Sequence, residues 1–99
     1  MSIDVTDATF PTEVVERSKQ VPVVFDPWAE WCGPSKTLGP ILEKVIDETG
    51  GKVVLAKVDV DTNRQTAAAF QVQGIPAVYA LKDGKVVDGF VGAQPEANV

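Results

Sequence analysis

Trp31-Cys32-Gly33-Pro34, with Ser35 at the place where a two-cysteine redox motif puts its second sulfur, is the group whose residue types and spacing imply covalent chemistry. A cysteine at the first turn of a helix meets the partial positive charge of unpaired amides. That field favours the thiolate, the form that attacks disulfides. Pro34 suits such a turn, having a fixed φ and no amide hydrogen to satisfy, and Gly33 keeps the backbone uncluttered beside the sulfur. Trp31 would add an apolar wall. An isolated cysteine is otherwise read as a small buried hydrophobe, and the surrounding tetrad outweighs that reading. With serine at position 35, Cys32 can form a mixed disulfide but has no internal thiol to release it, because a hydroxyl cannot serve as the second sulfur.

The elements that must carry this site alternate in type. A short extended start at Ile3-Val5 precedes a predicted first helix from Phe10 to Ser18, with Phe10, Val14 and Val15 on one side. Val21 to Phe25 reads as a buried strand. Leu38, Ile41, Leu42, Val45 and Ile46 recur at i, i+3, i+4, i+7 and i+8 within Lys36 to Thr49, one face of an amphipathic helix closed by Gly50-Gly51. Pro40 lies inside that pattern and predicts a kink. Val53 to Val60 reads as a central strand, and Thr62-Asn63 leads into an Ala-rich helix ending near Phe70. Asp83-Gly84, between Ala77-Leu81 and Val86-Val91, is a two-residue hairpin signal that adds an antiparallel pair. The expected class is α/β, a mixed central sheet with helices on both faces.

Composition narrows the function classes. The 99 residues, 44% apolar, suffice for one small domain. A net charge of -5 and a pI near 4.5 argue against nucleic acid or an anionic membrane surface as partner, since both call for a basic patch. One cysteine and no histidine leave no structural disulfide and no zinc ligand set. A reducing compartment, the cytoplasm by default, is expected. Met1 to Phe10 has neither a basic start nor an apolar stretch, and no apolar run is long enough to span a bilayer.

Trp28-Ala29-Glu30-Trp31-Cys32-Gly33-Pro34-Ser35-Lys36 resembles the active-site segment of the thioredoxin family, with serine replacing the second cysteine. Further matches follow in order. Asp26 falls where the family keeps a buried carboxylate, Pro40 where it kinks the active-site helix, and Lys57 where a lysine lies near that carboxylate. Gly74-Ile75-Pro76 is similar to the loop whose cis-proline faces the reactive sulfur, and Gly92 to a glycine of the substrate groove. The resemblance covers essentially the whole chain. It implies a thioredoxin fold and Cys32 as nucleophile, with Asp26, Lys57 and the substituted Ser35 around it. Trp31, Gly33, Pro34, Gly74, Ile75, Pro76 and Gly92 would form the substrate-binding groove. It implies no cofactor and no metal. Disulfide-containing or partly unfolded proteins are the expected partners, with a small thiol such as glutathione to release the adduct. Gln71 to Ala80 also looks similar to the amino-terminal domain of bacterial thioredoxin-like co-chaperones that continue into tetratricopeptide repeats.

Three features depart from the family pattern. Ser35 removes the resolving thiol; serine is the nearest isostere of cysteine, so the site is equally what a trapping variant would carry. Pro27 stands where an aromatic residue is usual, which predicts a bulge or an early strand end. Gln94 to Val99 looks like only the beginning of the carboxy-terminal helix, so the single domain spanning 1–99 is expected to be incomplete there and its apolar sheet face open.

Several readings compete at individual residues. Asp26 is either a buried proton-transfer group or a strand-end aspartate, and Lys57 either its charge partner or a solvated strand residue. Ile75-Pro76 is either an ordinary turn or a place where a peptide backbone docks. Asp59-Val60-Asp61-Thr62-Asn63 begins like a calcium loop, but Arg64 and Phe70 occupy its glycine and glutamate positions. Cys32-Gly33-Pro34-Ser35 is similar to the motif of monothiol glutaredoxins that share an iron-sulfur cluster, yet the flanking segments follow thioredoxin. Two functions remain: a thiol-disulfide oxidoreductase working through one cysteine, and a binding or co-chaperone module that uses the groove without turnover.

Overall fold

The computed structural model describes residues 2–70 and 74–91. Gly92 and the expected helix start at 94–99 lie outside the described residues. The apolar, β-branched segments pair as strands β1 (Ser2–Asp4), β2 (Val23–Trp28), β3 (Val54–Asp59), β4 (Ala77–Lys82) and β5 (Lys85–Val91). Their spatial order is β1-β3-β2-β4-β5. β3 runs parallel to both β1 and β2, while β4 is antiparallel to β2 and β5 to β4. This is the mixed sheet that the alternating pattern predicts.

Each face of the sheet carries its own core. On one face Val5, Val14, Val23, Phe25, Ala56, Val58 and Leu81 are buried together, with Phe10 and Phe70 packed against them. That face is covered by the amino-terminal helical segment and by helix α2 (Arg64–Ala69). On the other, Leu38, Leu42 and Ile46 of helix α1 (Gly33–Asp47) meet Leu55 and Val78. The i, i+4, i+8 spacing of those three α1 residues puts them on one stripe, which is why this helix lies flat on the sheet. Gly50 and Gly51 take φ of 66° and 89°, the left-handed conformation that ends a helix.

Three elements differ in detail from the sequence expectation. The first helix, expected over Phe10 to Ser18, has wide turns over Pro11–Glu16, with the Arg17 amide reaching back to the Thr12 carbonyl, and then tightens over Arg17–Lys19. Ser18 accounts for the tight end: its hydroxyl donates to the Val15 carbonyl, and its own carbonyl accepts from Asp83. The same hydroxyl accepts from the Gly84 amide, so the segment is pinned to the β4–β5 turn. That turn has φ of 53° at Asp83 and 79° at Gly84, the two positive values of a type I′ hairpin.

The second difference concerns Pro27. β2 does not end there but continues to Trp28 along β3. The Pro22 carbonyl accepts from Val54 of β3 and the Trp28 carbonyl from Val60 just after it, so by alternation the backbone of odd-numbered residues faces β4. Pairing with β4 stops at Phe25, although the register would next set Pro27 opposite Ala77 of β4, so the amide hydrogen that Pro27 lacks ends the ladder on that side alone. The third is the end of α1: the helix begins at Gly33, where the tetrad around Cys32 requires it, and continues without interruption through Pro40 to Asp47, short of the expected Thr49.

Candidate active site

β2 and α1 place the cysteine. The chain leaves β2 at Trp28, turns through Ala29 to Trp31, and enters α1 with Cys32 as the residue immediately before its first turn. The Cys32 carbonyl accepts from the Lys36 amide, and its own amide donates to the Ala29 carbonyl. The sulfur therefore sits at the positive end of a 15-residue helix. Cys32 is 7% exposed and is a free thiol.

Ser35, one turn into α1, is buried, and its hydroxyl donates to Cys32 Sγ over 2.8 Å. A sulfur that bears charge is a stronger acceptor than a neutral thiol, so this bond tightens when Cys32 acts as a nucleophile. Gly33 and Pro34 form the exposed lip beside it. A Cβ built on Gly33 would meet no protein atom within 4 Å, so the space it leaves free points outward.

Trp31, expected as an apolar wall, is 69% exposed. Its indole N–H donates to Asp61 Oδ2 at 2.9 Å, which ties the loop before α1 to the connection between β3 and α2. Asp59–Asn63 is thus a strand-to-helix connection, and one of its carboxylates orients the exposed ring.

Asp26 lies under α1 on the face opposite Phe25. It is 1% exposed, and neither carboxylate oxygen has a hydrogen-bond partner among the described residues. Burial pushes its pKa up from the ordinary 3.8 to about 7; Lys57 pulls the other way and Glu43 adds to the rise. Lys57 is its neighbour in register on β3. The Lys57 ammonium, however, pairs with Glu43 Oε1 of α1 at 3.3 Å. Asp26, Ser35 and Lys57 line one cleft of about 290 Å³ together with Trp28, Glu30, Lys36, Gly39 and Pro40.

The Ile75-Pro76 peptide bond is cis, and Pro76 is buried immediately before β4. β2 and β4 are antiparallel, so the start of β4 and the end of β2 share one end of the sheet. Ile75-Pro76 and Trp31-Cys32 are thereby set on the same rim, with Gly74 exposed next to them. Gly92 lies outside the described residues.

Two residues of this neighbourhood escaped the sequence reading. Glu43 follows Lys36 by seven residues, a helical repeat that marks the same side of α1, but its partner comes from β3. Asp61 was visible only as part of a rejected metal-loop pattern. No group of three or more candidate metal ligands occurs among the described residues, and no helix there is long and apolar enough to cross a membrane.

Comparison with known proteins agrees with this architecture. The Thioredoxin family model matches residues 1–99. Thioredoxin of Mycobacterium tuberculosis is 47% identical over 96 residues, covering 97% of this chain and 81% of the relative. Thioredoxin of Chlorobaculum thiosulfatiphilum is 43% identical over 93 residues, 94% of this chain and 84% of the relative. The mitochondrial thioredoxin of Bos taurus is 51% identical over 79 residues, 80% of this chain and 48% of the relative. With a mixed five-stranded sheet, a cysteine at the head of its longest helix and these relatives, the chain belongs to the thioredoxin family, whose chemistry is thiol-disulfide exchange.

Proposed function

We propose that Cys32 attacks disulfides of protein substrates and that the resulting mixed disulfide is released by an outside small thiol of the glutathione class. In the first step the Cys32 thiolate bonds to one substrate sulfur, the substrate S–S bond breaks, and the other sulfur departs as a thiolate that takes up a proton. In the second, the small thiol loses its proton and attacks the substrate sulfur of the adduct, returning Cys32 as thiolate. The observation that carries this reading is the buried Ser35 hydroxyl held 2.8 Å from Cys32 Sγ, where an internal resolving sulfur would otherwise be. Asp26 is the neighbouring group suited to give and take these protons, since it is buried and changes charge near neutral pH. Trp31, Gly33, Pro34, Gly74, Ile75 and Pro76 form the groove that receives the peptide around the disulfide. A reducing compartment such as the cytoplasm, rich in small thiols, suits this cycle.

The test is intact mass after mixing the reduced chain with a disulfide-bonded peptide at neutral pH, followed by glutathione. The expected result is an adduct of one peptide on Cys32 that glutathione removes. A folded chain that forms no adduct overturns the exchange reading and leaves the second: a binding or co-chaperone module without turnover. That alternative draws support from the low exposure of Cys32, 7%, beside a Trp31 that is 69% exposed and free to contact a partner.

A further inference from the structure

Lys57 occupies a row of register neighbours across three strands, between Asp4 of β1 and Asp26 of β2. Residues paired in register point to the same face, so these side chains all project toward α1. On the α1 side the charged groups are Glu43 and Lys36, and Glu30 enters from the loop before the helix. Lys36 is already engaged with Glu30 at 3.1 Å. Among the described residues the ammonium that acts on the buried Asp26 carboxyl is that of Lys57, and it is held by Glu43 at 3.3 Å, close to Gly39 of the same helix. Ser2 Oγ donates to the same Glu43 oxygen at 3.5 Å, from the edge strand β1.

The choice of partner has a physical reason. Glu43 and Lys57 keep 39% and 25% of their side-chain surface exposed, so pairing them leaves both charges partly hydrated. Turning Lys57 onto Asp26 would bury a charged pair, and desolvation of both ions opposes that. As long as Glu43 is ionised it competes for the ammonium, and Asp26 is left with no partner for its charged form.

We infer that Glu43 is a positioning residue of the exchange site: it holds the Lys57 ammonium against α1, off the Asp26 carboxyl, and so sets the pH range in which Asp26 gives and takes protons. This rests on the exchange reading above and deepens it. Glu43 touches neither sulfur nor substrate; beside the like-charge effect of its own carboxylate on Asp26, it acts through Lys57.

Two readouts test it in the native chain and in Glu43→Gln, Lys57→Met and the double variant. One is the titration midpoint of the Asp26 carboxyl followed by carbon NMR; the other is the pH profile of Cys32 adduct formation with a disulfide-bonded peptide. Glu43→Gln frees Lys57 for Asp26, so the midpoint moves down by about one pH unit, the lower end of what an adjacent opposite charge produces. The rate profile moves with it. In the Lys57→Met background, Glu43→Gln has a clearly smaller effect, the part due to its own charge on Asp26, because the ammonium through which it also acts is gone. The assignment is overturned if Glu43→Gln leaves the midpoint or the rate profile in place. It is equally overturned if the full shift persists without Lys57, which would make the direct field of Glu43 on Asp26 its whole action. A native chain that forms no adduct sinks the exchange reading itself, whereas a reactive native chain with an unmoved Glu43→Gln sinks only the role of Glu43.

Discussion

Ser35 Oγ donates to Cys32 Sγ over 2.8 Å, from a side chain that is itself buried one helical turn further along α1. Cys32 meets the helix from an extended conformation, φ -100° and ψ 97°, so its sulfur projects back over the first turn where the hydroxyl waits. The serine is thus a fixed donor to the nucleophile, and it occupies the site from which a second thiol would attack.

Removing that donor slows the first step. Ser35→Ala is expected to lower the rate of Cys32 adduct formation by roughly tenfold, the loss of about 1.5 kcal/mol from a hydrogen bond to a charged acceptor. Stopped-flow or mass-resolved kinetics with a disulfide peptide measure this. An unchanged rate would show that the bond is irrelevant to the attack.

Placing a thiol at the same position completes the two-sulfur cycle. With no outside thiol present, reduced Ser35→Cys should release its substrate fully reduced by closing an internal disulfide, whereas the native chain stops at one adduct per molecule. Single-turnover assays on a disulfide-bonded polypeptide separate the two. An inert Ser35→Cys chain, correctly folded, would mean that the surroundings of Cys32 are not built for exchange.

Asp26 gives a signed pH dependence. Its folded pKa is about 7, against an ordinary value of 3.8. As pH rises between these values the unfolded chain loses the proton first, so the native state is progressively destabilised, and above pH 7 the cost levels off at roughly 4 kcal/mol. Asp26→Asn removes the titration. The gain in stability over the native chain is therefore small at pH 4, grows through pH 5 to 7, and is constant above. Urea unfolding across that range checks it, and a gain independent of pH would contradict the burial argument.

Asp7 ties the amino-terminal segment to α2. Its carboxylate accepts from the Thr66 amide, the Thr66 hydroxyl and the Gln65 amide, while the Asp7 amide donates to Asn63 Oδ1. These bonds, the Thr66 hydroxyl foremost, hold its pKa below the ordinary 3.8. The stabilisation is complete above that value and disappears as pH falls through the lower folded one. Asp7→Ala should lower the melting temperature at pH 7, with a smaller difference from the native chain well below pH 3.8. Equal differences at both pH values would show that the charge contributes nothing.

The periodic apolar stripe of α1, the closing Gly50-Gly51, the Asp83-Gly84 hairpin and the strand-helix alternation were all legible in the chain, because each depends on backbone geometry within a few residues. The tetrad around Cys32 was legible for the same reason, since the sulfur, the first helical turn and position 35 are local to one another. Pro27 was legible only in part: a proline predicts a lost ladder bond, but that the loss falls on the β4 side while pairing with β3 continues to Trp28 is a property of the sheet. The contacts of Asp7 with Thr66, 59 residues away, of Trp31 with Asp61 and of Lys57 with Glu43 were equally hidden. Register between distant segments selects those partners, and a side chain such as Lys57, with carboxylates on β1, β2 and α1 around it, acquires its partner only when packing and desolvation decide among them.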